Sequence, residues 1–148
     1  SLFRLPVVGW VLRGAQQIPV RRATADASKA FEAAVEAVER GECVVVFPEG
    51  TRVPVGEAGK FSRGGSALAV NAGLPVLPIA HNAGHFWPKQ GWAKHPGTIQ
   101  VFIGPPMLAE GEGPRAISEL NQRAERWINE RMAEIDRSPA ASAPSLVS

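Results

Sequence analysis

Residues Val44 to Arg52 read Val-Val-Val-Phe-Pro-Glu-Gly-Thr-Arg, and no other stretch narrows the possible folds as far. The run from Cys43 to Phe47 is apolar and rich in β-branched residues, the pattern of a buried strand. Pro48 and Gly50 suit a sharp turn at its end. Three polar side chains, Glu49, Thr51 and Arg52, follow at once. In an open α/β sheet, strand ends of this kind are where ligands bind. An arginine there offers a rigid, permanently charged fork that matches phosphate or carboxylate. Glu49 can orient that fork or accept a hydrogen bond from a substrate hydroxyl. The same residues also suit an ordinary surface turn with a salt bridge, and residue types alone leave both readings open.

The remainder of the chain alternates strand and helix patterns. Ile18 to Val20 reads as a short strand. Asp26 or Ser28 then caps a helix with Phe31, Ala34, Val35 and Val38 on one face, ending at Gly41. Gly64 to Ala72 reads as a helix of small residues closed by Gly73, Val76 to Ala80 as a strand, and Thr98 to Ile103 as another. Pro114 opens the last helix, whose apolar face carries Ile117, Leu120, Ala124, Trp127, Ile128 and Ile135. This order predicts an α/β fold, a mostly parallel central sheet flanked by helices. At 148 residues one domain is expected, over residues 1–136. Residues 137–148, rich in Ser, Ala and Pro, read as a disordered tail.

Several functions are disfavoured. A net charge of +2 with a pI near 9.1 is too small for nucleic-acid binding, and no basic stripe interleaved with aromatics supports it. The single Cys43 rules out a disulfide within these residues, and its place at the head of an apolar run makes it core filler rather than a nucleophile. His81 and His85 stand four apart, but Gly84 between them and the proline-bearing strand before them argue against a zinc helix. Gly56 to Lys60 misses the phosphate-loop spacing, and Gly64-Gly65-Ser66 misses that of a nucleophile elbow. The apolar stretch from Leu5 to Leu12 contains Pro6 and Gly9 and falls short of the roughly 20 residues that span a bilayer. The wider segment from Leu2 to Leu12, edged by Arg4 and Arg13, fits a helix packed on the sheet, or a segment lying at a membrane interface. Trp87 and Trp92 flank Lys89 in a loop and either cap a sheet edge or touch lipid.

Phe47-Pro48-Glu49-Gly50-Thr51-Arg52 resembles the third block of the glycerolipid acyltransferases, the 1-acylglycerol-3-phosphate acyltransferases in particular. Three more segments fall in the family's order. Phe3-Arg4-Leu5-Pro6-Val7-Val8-Gly9-Trp10 resembles the segment before the second block, Ile18-Pro19-Val20-Arg21-Arg22 the second block, and Leu74-Pro75-Val76-Leu77-Pro78-Ile79-Ala80 the fourth. The likeness runs from about Ser1 to Met107. It implies transfer of an acyl group from acyl-CoA or acyl carrier protein to the sn-2 hydroxyl of lysophosphatidic acid, giving phosphatidic acid. It also implies a peripheral protein at the cytoplasmic face of the cell membrane, with the bilayer surface as a partner and no cofactor. By the same resemblance, Arg22 and Arg52 hold the acceptor phosphate while Glu49, Gly50 and Thr51 shape the pocket. Many relatives carry a basic residue at the position of Ser62. Here Lys60 and Arg63 bracket it, and either supplies the second phosphate contact.

The family's first block is a His followed five positions later by an Asp, and it carries the general base. Five positions beyond His81, His85 and His95 stand Phe86, Gln90 and Gln100. The resemblance therefore implies no catalytic residue within these 148 residues and a chain inactive alone, as if cut just after its dyad. The other reading is a non-catalytic phosphate- or lipid-binding domain.

Overall fold

The computed structural model describes residues 24–57, 59–88 and 94–137. The chain divides into two compact units, Ser1–Val45 and Val46–Ser148. The expected strand at Ile18 to Val20, the apolar segment from Leu2 to Leu12, Arg22, Trp92 and the tail beyond Arg137 lie outside the described residues.

In the first unit, helix α1 spans Thr24–Glu39 and buries Ala34 and Ala37. It begins at Thr24, so Asp26 and Ser28 lie inside its first turns rather than capping it. Its end is the one expected. Gly41 takes a φ of 76°, its N–H bonds Val38 O, and the N–H of Glu42 reaches Ala37 O, the two bonds of a Schellman ending. The expected buried strand after it does not form. From Glu42 to Phe47 there is no strand among the described residues; Cys43 is exposed, and Val45 and Phe47 are 76% and 73% exposed. Cys43 is thus not core filler. An apolar β-branched run suits a strand that has neighbours to pack on, but it does not supply those neighbours.

The second unit is built on a long helix. Helix α2 spans Gly64–Ala72, strand β1 Ile79–His81, helix α3 Ala83–Phe86, strand β2 Val101–Ile103 and helix α4 Gly113–Arg137. Helix α4 buries Ala116, Leu120, Asn121, Ala124 and Ile135, spaced as one helical stripe. Ala69 of α2 and Met107 pack on Leu120 and Ala124. Farther along, Ala80 of β1 packs on Ile135. Helix α2 tolerates a close approach because its residues are small, and it closes at Gly73 (φ 65°) with a second Schellman pair, to Ala69 O and Val70 O. Buried Ser66 Oγ donates to Asn121 Oδ1 at 3.1 Å, satisfying both polar groups inside the helix–helix contact.

β1 pairs with β2 in antiparallel fashion, Ile79 opposite Ile103, Ala80 opposite Phe102 and His81 opposite Val101. The sequence argued for a mostly parallel sheet; the one strand pair among the described residues is antiparallel. The only helix in the intervening described chain is the four-residue α3, too short for the crossover a parallel pair needs. The strands are also shorter than expected. Val76 makes only an isolated bridge to Met107, and Pro75 and Pro78 have no N–H to give a ladder. Gly104 lies under Pro78 and Trp127, where a Cβ would stand 2.8 and 2.7 Å from them.

Candidate functional site

The loop that carries Glu49 to Arg52 is a closed excursion. Gly50 N–H donates to Phe47 O at 3.0 Å, and Gly50 adopts φ +64°, the left-handed conformation that glycine enters at least cost. At the far end Ser62 N–H donates to Pro48 O at 2.8 Å, bringing the chain back to the turn. Phe61 is buried and anchors that return. Gly59 crosses so close to the turn that a Cβ would lie 2.6 Å from Val53 Cγ2 and 3.0 Å from Glu49 Cγ. Helix α2 starts directly afterwards, with Arg63 at its N-cap and Gly65 against Val46. The turn, the returning segment of the loop and the helix start thus form one local frame.

Within that frame Thr51 and Arg52 are exposed, as are Lys60 and Arg63 near the helix start. The Arg52 guanidinium lies over the ring of Trp87, 4.8 Å from its centroid. On the same ring sits Lys94, its Nζ 4.4 Å from the centroid. Among the described residues, no carboxylate pairs with Arg52, Lys60, Arg63 or Lys94, whereas Arg40, Arg115, Arg123 and Arg131 each have one. Glu49 is exposed as a residue, yet loss of water around its carboxyl raises its pKa above the usual carboxylate value, and the nearby His81 opposes that shift. Ala83 N–H lies 3.3 Å from His81 Nδ1.

The structure therefore gathers Glu49, Gly50, Thr51 and Arg52 on one turn and joins Lys60 and Arg63 to it through the loop. Arg22 lies outside the described residues. Sequence reasoning missed Lys94 and the nearness of His81 to Glu49, and it offered Trp87 only as a sheet cap or a lipid contact. Spacing carries no signal for these, because the contacts join residues from separate parts of the chain. His85 is engaged elsewhere, its Nε2 2.8 Å from Asp136 Oδ1 on α4.

Two cations, Arg52 and Lys94, thus share one half-exposed indole, neither paired with a carboxylate among the described residues. The chain belongs to the acyltransferase family: the family model described as Acyltransferase matches residues 1–82. Over 137 residues it is 61% identical to a 1-acyl-sn-glycerol-3-phosphate acyltransferase of Pseudomonas aeruginosa, covering 91% of this chain and 53% of that protein. It is 36% identical over 105 residues to the human 1-acyl-sn-glycerol-3-phosphate acyltransferase alpha, covering 70% of this chain and 37% of the human protein. The crystal structure of the 1-acyl-sn-glycerophosphate (LPA) acyltransferase PlsC from Thermotoga maritima superposes with a TM-score of 0.76 at 29% identity, covering 93% of this chain and 54% of that one. The chain thus spans about half the length of the Pseudomonas and Thermotoga proteins it matches.

Proposed function

We propose that this chain supplies the acceptor-phosphate site of an enzyme that moves an acyl group from acyl-CoA or acyl carrier protein to the sn-2 hydroxyl of lysophosphatidic acid. The product is phosphatidic acid, a precursor of phospholipids. The observation that carries the reading is Arg52: it stands on a closed glycine turn, with no carboxylate paired to it among the described residues, in a chain of this family. A guanidinium left unpaired at the surface can give both N–H arms to a phosphoryl group. The family resemblance adds Arg22 of the second block as a phosphate ligand; Glu49, Gly50 and Thr51 shape the pocket, and Lys60 or Arg63 adds the further contact.

Phosphate capture acts on rate through geometry. A bidentate clamp fixes the headgroup, so the hydroxyl is held in line with the thioester carbonyl rather than sampling orientations. The general base that takes the hydroxyl proton is a histidine oriented by an aspartate, from a His-x-x-x-x-Asp that these 148 residues do not contain. The reaction needs neither metal nor cofactor, and the protein meets its lipid substrates at the cytoplasmic face of the cell membrane.

The test is acyl transfer from acyl-CoA to lysophosphatidic acid, measured on the 148-residue chain and on the product of its complete coding sequence. The complete product should turn over, and the 148-residue chain should not exceed background. Turnover by the short chain that depends on His81, His85 or His95 would reassign the base. Binding of lysophosphatidic acid without turnover by the complete product would make it a non-catalytic lipid-binding domain.

A further inference from the structure

Trp87 is 51% exposed. It belongs to none of the matched blocks and follows the short helix α3, whose last residue, Phe86, is buried. Its ring carries two cations, Arg52 from the turn and Lys94 from a later loop. The face of an indole attracts a cation, and guanidinium groups stack on it with their plane and direction restricted. Two cations gathered on one ring also repel each other. With no carboxylate beside either among the described residues, that repulsion is left for an anion from solution to relieve.

We propose that Trp87 is a positioning residue that holds Arg52 and Lys94 as one phosphate-binding unit, and that Lys94 is a further contact for the acceptor phosphate. This rests on the reading of Arg52 as a phosphate ligand and extends it. A free arginine must give up much of its side-chain rotamer freedom when it clamps a phosphate. Stacking on Trp87 removes part of that freedom beforehand, so the guanidinium meets the phosphoryl group already aligned. Lys94 adds charge without directional demand, since its three N–H donors rotate freely. Trp87 is half exposed, which leaves an approach from solvent open.

The experiment measures binding of 1-hexanoylglycerol 3-phosphate, a soluble acceptor, by calorimetry on the product of the complete coding sequence, with 1-hexanoylglycerol as the phosphate-free control. Trp87→Ala should weaken binding of the phosphate form on the order of tenfold, the magnitude of a lost cation–π hold. The control should not change. Trp87→Phe should restore part of the loss, because a smaller ring keeps a weaker face. Lys94→Ala should weaken the phosphate form and flatten its dependence on salt. If Arg52→Ala weakens binding while Trp87→Ala and Lys94→Ala do not, the inference is overturned and the Arg52 reading stands. If Arg52→Ala leaves binding unchanged, the underlying reading fails. Loss of vesicle binding by Trp87→Ala, with soluble-acceptor binding intact, would overturn the inference in favour of a lipid contact. Should Trp87→Ala not fold, Trp87→Phe and Lys94→Ala decide the matter by the same readout.

Discussion

Arg52 and Glu49 stand three positions apart on one turn and call for different tests. Arg52 is a permanent cation, so its replacement tests charge and geometry separately. Arg52→Ala should weaken acceptor binding by about 2–5 kcal/mol, the range for removing one partner of a charged contact. Arg52→Lys should recover only part of it, because a point charge replaces the fork. Binding calorimetry reads both, and a full recovery by Lys would mean that charge alone matters. Glu49 is a carboxylate whose folded form resists ionisation, chiefly through loss of water, with His81 opposing. Well below the usual carboxylate range both folded and unfolded chains are protonated there, and Glu49 costs nothing. As pH rises through that range the unfolded chain ionises first, so stability is lost and stays lost up to neutral pH. Glu49→Gln removes that dependence. Thermal melting of the variant should match the parent in strong acid and exceed it at neutral pH; equal melting at both would show the carboxyl to be well solvated.

At the scale of elements, the helices were legible and the sheet was not. The helix ends at Gly41 and Gly73 and the start near Pro114 are written in local chemistry, and each lies where the residues put it. The apolar stripe of α4 likewise follows from its own spacing, with Leu120 and Ile135 each 1% exposed. Strand pairing depends on residues far apart, and the two prolines before Ile79 shortened the ladder in a way the apolar count concealed. The turn at Phe47 to Arg52 was legible as a turn because glycine and proline fix it locally. Its partners Trp87 and Lys94 were not, because only the folded chain brings them over. Gly104 shows the same limit. Nothing in its sequence neighbourhood reveals that Trp127 from α4 and Pro78 close over its Cα. Gly104→Ala should therefore destabilise the fold by about 1–3 kcal/mol through overpacking. Denaturant titration reads this, and pairing the change with Trp127→Leu should recover part of it. No cost at Gly104 would mean that the β1–β2 pair shifts freely against α4.

Taken as a whole molecule, the described chain shows more apolar surface than its folding uses. No helix among the described residues is long and apolar enough to cross a membrane. Yet Ile79, Val101 and Ile103 are 45%, 55% and 65% exposed, and the pairing of Ile79 with Ile103 puts all three on one face of the two-stranded sheet. The opposite face carries Ala80, which is buried on α4. One face of the ladder is thus a working core face and the other is an apolar face turned outward. A patch of this kind drives association in water, because covering it releases ordered solvent at no cost in hydrogen bonds. The 148-residue chain on its own should therefore sediment as a concentration-dependent mixture of oligomers and should bind a hydrophobic dye. Val101→Lys with Ile103→Lys places two charges on the outward face while leaving the Ala80–Phe102 pair untouched. That variant should sediment closer to a monomer, with its helical circular dichroism unchanged. A parent chain that stays monomeric at high concentration and binds no dye would show that the face is covered from within the chain itself.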